Sequence, residues 1–205
     1  MATSSSGGLL GTLMQELPLE FLKEITNGFS DDRKLSEGAF GTVYKEMGAP
    51  IVHLDLQPAN ILLDDNMVPK IADLGLSRFF GQEQTRINTI NVVGAKGYMA
   101  PEYLYSGEIS PQCDIYSLGV LILEITTREK NCSNDKDMAA RNFIIDIRET
   151  WTDGHIASKY SSLDADRLQQ VKACIEIAFK CVDVAQRNRP TIVEVVDRLY
   201  GRRAG

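Results

Sequence analysis

The stretch HLDLQPANILLDDNMVPKIADLG, which covers His53–Gly75, decides how this chain folds. Short apolar runs on either side of the polar turn at residues 64–66 predict two strands joined by a hairpin. A hairpin returns the chain to its start, so we expect Asp55, Asn60 and Asp73 to converge on one spot. Two carboxylates and an amide would supply hard oxygen ligands there, which suit Mg²⁺ and phosphate. The sequence therefore predicts a magnesium and phosphate site around this hairpin.

Two further motifs accompany this stretch in a fixed order along the chain. The glycine-rich segment GAFGTV covers residues 38–43, and the triplet APE covers residues 100–102. Together with HLDLQPAN and DLG, they resemble the glycine loop, the catalytic loop, the metal motif and the end of the activation segment of protein kinases. The longer stretches ITNGFSDDRKLSEGAFGTVYK, NILLDDNMVPKIADLGLSR and GYMAPEYLYSGEISPQCDIYSLGVLILEITT resemble plant receptor-like serine/threonine kinases of the cysteine-rich or lectin-type groups.

The resemblance implies a role for each candidate site residue. Asp55 would accept the proton of a substrate hydroxyl, and Asn60 and Asp73 would hold Mg²⁺ against the phosphates of ATP. The ATP phosphates would also be cradled by the residues that match the glycine loop, which are Gly38, Gly41 and Val43. The implied cofactors are ATP and Mg²⁺, and the implied partner is a protein substrate or a docking protein.

Composition and charge exclude several classes of function. The chain carries 22 Lys and Arg against 28 Asp and Glu, so its net charge of −6 argues against binding to nucleic acid or to a membrane surface. It shows neither a signal peptide nor an apolar run long enough to span a bilayer. We therefore expect a cytoplasmic protein, although the family that it resembles consists of plasma-membrane receptors with a cytoplasmic kinase domain.

The expected fold class is α+β and kinase-like, with a mostly helical large lobe and a two-stranded remnant of the small lobe. A flexible tail is predicted at 1–17, the small-lobe remnant with the glycine-rich loop at 18–50, the large lobe at 51–201, and a short tail at 202–205. The resemblance also predicts an ion pair between Glu102 of the APE triplet and Arg189.

A central helix is predicted from Ser110 to about Thr127, because Ser-Pro is a favourable helix start and the following residues are apolar on nearly every side. Asp114 in its first turn would either interact with the helix dipole or, by resemblance, brace the backbone of the catalytic loop. We favour the bracing role. We also expect exposed apolar surface around Ile115–Ile125, because helices that cover it in the family have no counterpart here.

This chain departs most from the family that it resembles in the residues needed for catalysis. Only seven residues separate Lys45 from His53, where the family holds the lysine strand, the helix with its glutamate partner, the hinge and two helices. Gln57 replaces a lysine that contacts the γ-phosphate, and Ala95 replaces a hydroxyl residue found in many relatives. The prediction is a serine/threonine kinase family member with weak or no phosphate transfer. Two alternatives stay open, an inactive pseudokinase that serves as a binding module and a truncated product without function.

Overall fold

The computed structural model describes Lys23 and residues 27–28, 30–38, 41–44, 51–79, 86–131 and 139–201 of the chain. The chain divides into two units, of which the first comprises residues 1–51 and 79–84 and the second comprises residues 52–78 and 85–205. The predicted tails at 1–17 and 202–205 lie outside the described residues.

The first unit contains a β-hairpin at the glycine-rich segment. Strand β1 (Lys34–Gly38) pairs antiparallel with β2 (Gly41–Tyr44), after a short 3₁₀ turn at Asp31–Arg33. Gly38 lies opposite Gly41 in this register, and the pairing is irregular between Lys34 and Ser36. The two strands expected of the small-lobe remnant are therefore present and paired.

Short strands also frame the candidate site. Strand β3 (Ile51–Val52) pairs with β6 (Arg78–Phe79), and between them β4 (Ile61–Leu63) pairs antiparallel with β5 (Pro69–Ile71). The turn of this second hairpin is organised by Asp64, whose Oδ1 accepts hydrogen bonds from the backbone N–H groups of Asn66 and Val68, both at 2.9 Å. The hairpin predicted from the quoted stretch is thus confirmed.

The rest of the second unit is mainly helical. Strands β7 (Ile87–Asn88) and β8 (Glu108–Ile109) pair with each other. Between them in the sequence lies helix α1 (Pro101–Ser106). Gly107 caps α1 with a φ of 64°, and a Cβ there would meet the Thr89 carbonyl oxygen at 1.9 Å. The helices that follow are α2 (Pro111–Thr127), α3 (Ala139–Thr150), α4 (Asp153–Lys159), α5 (Ala165–Cys181) and α6 (Ile192–Leu199). No helix among the described residues is long and apolar enough to cross a membrane.

Helix α2 forms the centre of the core, and α5 packs closely along it. Gly119 makes this approach possible, because a Cβ at this position would lie 2.6 Å from Cys181 Cβ and 3.0 Å from the Ala178 carbonyl oxygen. A cluster of buried side chains joins α2 to α5 and α6: Ile115, Ile177, Cys181 and Val195. Ser110 occupies the N-cap position as predicted, although its side chain makes no capping hydrogen bond.

The expectation of exposed apolar surface along Ile115–Ile125 is wrong for most of that range. Helices α5 and α6 cover the apolar side chains of α2, and Ile125, with 73% of its surface exposed, is the large hydrophobic residue of this range that is fully open to solvent. One group of exposed apolar side chains lies instead on the β4–β5 hairpin, which we call the hairpin patch: Leu62, Leu63, Met67, Val68 and Ile71.

Candidate active site

The backbone of the predicted catalytic loop is held by a carboxylate from α2. Oδ2 of Asp114 accepts the backbone N–H of His53 at 2.6 Å, and Oδ1 accepts that of Leu54 at 2.9 Å. Leu54 has a φ of 66°, a left-handed conformation that is unfavourable for a side chain of this size. Burial raises the pKa of Asp114, and the two N–H donors offset this only in part. The predicted bracing role of Asp114 is therefore confirmed.

His53 ties the same loop to the chain segment just before Asp73. Its Nδ1 lies 3.2 Å from the backbone N–H of Asp55 and accepts from it, so the ring proton is on Nε2. Nε2 then donates to the Ala72 carbonyl oxygen at 2.9 Å. Because the ring is buried, its two hydrogen bonds are shielded from water and hold the loop in place. No such role for His53 was predicted from the sequence, although this residue opens the HLDLQPAN motif.

The carboxylate of Asp55 accepts hydrogen bonds from three neutral donors. Oδ2 accepts from Gln57 Nε2 at 3.0 Å and from Asn60 Nδ2 at 2.9 Å, while Oδ1 accepts the backbone N–H of Ala95 at 2.9 Å. Asn60 Nδ2 also donates to the Asp55 carbonyl oxygen at 2.9 Å. The predicted proximity of Asp55 and Asn60 is thus confirmed.

The hairpin brings the segment of Asp73 back to Asn60. The backbone N–H of Ala72 donates to the Asn60 carbonyl oxygen at 2.9 Å, which closes the loop around β4 and β5. Asp73 follows with a φ of 64°, and its exposed carboxylate accepts the backbone N–H of Gly75 at 3.2 Å. The remaining candidate residues, which are Gly38, Gly41 and Val43, belong to the first unit.

Asn60 and Asp73 carry oxygen atoms of the kind that Mg²⁺ takes as ligands. Because Asn60 uses Nδ2 to bind Asp55, Oδ1 is the atom of its amide that can face a cation, and the Asp73 carboxylate is open to solvent. No group of three His, Cys, Asp or Glu side chains suited to a metal occurs among the described residues. A small set of oxygen donors matches Mg²⁺, which keeps several waters and takes further ligands from substrate phosphates.

Gly94 permits the contact between Ala95 and Asp55. Its φ is 130°, and a Cβ at this position would lie 3.2 Å from both Asp55 Oδ1 and the Leu54 carbonyl oxygen. A side chain would therefore displace the loop that presents the Ala95 N–H. This residue was missed from the sequence, although a glycine directly before the noted Ala95 was a usable signal.

The predicted ion pair between Glu102 and Arg189 is confirmed. It is bidentate, with Nη1 to Oε1 at 2.6 Å and Nη2 to Oε2 at 2.7 Å, and the Arg189 side chain is fully buried. Nη1 also donates to the Gln112 carbonyl oxygen and Nε to that of Asp183, at 2.8 and 2.7 Å. Burial raises the pKa of the neighbouring Cys113 thiol to about 12, so the thiol stays protonated beside this pair. The pair links the end of the APE triplet to the chain between α5 and α6.

Comparison with known families agrees with this geometry. The protein kinase domain family matches residues 46–200, so the chain belongs to the protein kinase family. The motifs and helices described above therefore form a kinase-like α+β fold, as the sequence predicted.

Plant receptor-like kinases are among the relatives that the chain matches, again as predicted. In Arabidopsis thaliana it is 40% identical over 160 residues to the putative cysteine-rich receptor-like protein kinase 20 and 41% identical over 155 residues to cysteine-rich receptor-like protein kinase 8. It is 38% identical over 166 residues to a G-type lectin S-receptor-like serine/threonine-protein kinase. These matches cover 77%, 75% and 78% of this chain but 24%, 23% and 20% of the relatives, so the chain spans about a quarter of their length or less.

Proposed function

We propose that the chain is a serine/threonine kinase domain that retains the lower half of an ATP and Mg²⁺ site and transfers phosphate weakly or not at all. The observation that carries this proposal is the linked set of hydrogen bonds from Asp55 through Asn60 to Ala72, next to Asp73. It supports the roles implied by the motifs, because these bonds bring Asp55 and Asn60 together and end at the residue before Asp73.

Each of these residues has a distinct task in the proposed reaction. Asp55 orients the hydroxyl of a serine or threonine substrate and accepts its proton. Asn60 and Asp73 would hold Mg²⁺, which when bound neutralises charge on the ATP phosphates. Gly38, Gly41 and Val43 would line the phosphates through the glycine loop.

Two features support impaired transfer. The donors around Asp55 are neutral, because Gln57 supplies an amide where the family has a cationic lysine. The seven residues between Lys45 and His53 reach only about 25 Å when extended, and they match neither the lysine strand nor the glutamate helix of the family. Loss of one preorganised donor alone reduces the rate by roughly 10²–10³.

The domain assignment belongs to the same proposal. Residues 51–201 would be the kinase large lobe and residues 18–50 the remnant of the small lobe, with tails at 1–17 and 202–205. The kinase relatives also support a cytoplasmic location for this domain.

The test compares four proteins for transfer of labelled phosphate from ATP to a generic serine/threonine substrate. They are the parent chain, Gln57→Lys, a graft that inserts a relative's lysine strand through its hinge and helices between Lys45 and Pro50, and the same graft with Asp55→Asn. We expect little transfer from the first two, because preorganisation contributes up to about 7–11 kcal/mol and one restored charge cannot replace it. The graft should be active, and Asp55→Asn should abolish that activity.

Two outcomes would contradict the proposal. Robust transfer by the parent chain that is lost on Asp55→Asn would make it a working kinase. An inactive graft that binds ATP and Mg²⁺ normally would show that the site around Asp55 has lost its chemistry for another reason.

A further inference from the structure

A second concave site lies in the helical part of the second unit. It is a cavity of about 580 Å³ between α1, the first turns of α2, helix α3 and the loop after α5. Its size falls within the range of about 300–1,000 Å³ that is usual for ligand pockets. Most of its wall is apolar, with contributions from Met99, Leu104, Tyr116, Ile144 and Val182. The cavity can therefore bury an apolar side chain.

One side of this cavity is a stripe along α3. The stripe consists of residues at helical spacing, which are Ala140, Arg141, Ile144, Ile145 and Arg148. Arg141 and Arg148 are exposed, and their separation of seven residues corresponds to about 10 Å along the helix axis. The stripe therefore presents two cations with apolar surface between them.

The acidic side chain among the described lining residues, Asp183, is already engaged. Its Oδ1 accepts the backbone N–H of Ala185 at 2.8 Å, and its Oδ2 accepts Asn188 Nδ2 at 3.2 Å. The guanidinium of Arg148 lies 4.5 Å from the centre of the Phe179 ring, which fixes the side chain and leaves its edge for an anion. Lys96, Arg141 and Arg148 line the cavity against the one carboxylate of Asp183 among the described lining residues, so the rim is net positive although the chain as a whole carries a net charge of −6.

We propose that this cavity is a docking site for an extended segment of a partner protein in which an apolar side chain lies between two acidic residues. In the polyproline II conformation an extended segment rises by about 3.1 Å per residue and repeats every three residues, so acidic residues three positions apart lie on one face and match the spacing of Arg141 and Arg148. The apolar side chain between them enters the cavity. Docking of this kind needs no phosphate transfer, so it stands or falls separately from the proposed activity.

The experiment measures binding of labelled peptides to the full chain by fluorescence anisotropy. The test peptide carries the central sequence Asp-Leu-Phe-Asp in a neutral background. One control peptide replaces both acids by lysine, and another replaces the two apolar residues by serine. The proteins are the parent, the double variant Arg141→Glu with Arg148→Glu, and the control Arg167→Glu, which reverses an exposed arginine near the other end of α5.

We expect the parent and Arg167→Glu to bind the acidic peptide and to prefer it over both controls. The double variant should bind it at least about tenfold more weakly and should gain affinity for the lysine peptide, because the charges are then complementary. That gain also shows that the variant is folded. Equal binding of the acidic and lysine peptides, an equal loss in Arg167→Glu, or no binding of any peptide at millimolar concentration would overturn the proposal.

Discussion

Asp114 shows how one side chain can support a whole loop. Acidic residues in the first turn of a helix are common because they interact favourably with the helix dipole. Here the carboxylate instead accepts two backbone N–H groups of the catalytic loop, one of them from Leu54 in its left-handed conformation. Its raised pKa reflects burial, so the protein keeps a desolvated acid at this position.

Asp114→Ala distinguishes these two roles. The substitution leaves the N–H groups of His53 and Leu54 without their acceptor, and one orphaned buried donor costs about 1–3 kcal/mol. The matched control is Asp166→Ala, which removes an exposed acid from the first turn of α5 and should cost only about 0.3–1 kcal/mol. Urea unfolding measures both free energies, and hydrogen exchange should become faster at His53 and Leu54 in the first variant alone. If both variants lost the same free energy of unfolding, Asp114 would contribute only through its interaction with the helix dipole.

The packing of α2 against α5 explains how the second unit forms a core although only seven residues separate Lys45 from His53. Gly119 removes the side chain at the point of closest approach, so that α5 and α6 cover α2 directly. The two hairpins and the helix start at Ser110 have strong local signals and could be predicted from the sequence, whereas the Glu102–Arg189 pair was predicted from the family resemblance. The covering of α2 could not be predicted, because it depends on which distant helix approaches an apolar face.

Gly119→Ala tests this close packing. The new Cβ would overlap Cys181 and the backbone of α5, and overpacking of this kind destabilises a core by about 1–3 kcal/mol. The control Gly154→Ala adds the same methyl group in α4 with nothing within 4 Å, and it should be neutral or stabilise the protein by up to about 1 kcal/mol. Thermal unfolding compares the two. A Gly119→Ala protein as stable as Gly154→Ala would contradict the inferred contact.

The hairpin patch is a property of the whole molecule, because it depends on which parts of the chain are available to cover β4 and β5. Leu62, Leu63 and Ile71 are each more than half exposed, at 55%, 55% and 61%. The argument from missing helices predicted exposed surface on α2 instead, and that prediction is wrong because α5 and α6 cover most of its apolar side chains. Gly94 was missed for a related reason, since its importance lies in a contact with Asp55 that no local pattern records.

We expect the patch to make the protein self-associate and bind a hydrophobic dye, because contiguous exposed apolar surface promotes association in water. The triple variant Leu62→Gln, Leu63→Gln and Met67→Gln should lose most of the dye fluorescence and shift the protein towards the monomer in light scattering. Ile125→Gln is the control, because it removes one isolated exposed side chain from α2. If Ile125→Gln had the larger effect, the patch would be on α2 after all.

The hydrogen bonds of His53, Asp55 and Asn60 have a consequence for how such chains drift over evolutionary time. The His53 ring and the Asn60 amide hold the backbone at Asp55 and the segment before Asp73 in place, so replacing either side chain would weaken the fold whether or not phosphate is transferred. Selection for a stable fold alone is then enough to preserve them in a lineage that has lost catalysis. In this family an intact set of catalytic motifs can therefore be conserved for its structural role alone. Finding these motifs in a sequence does not by itself show that the protein is an active enzyme.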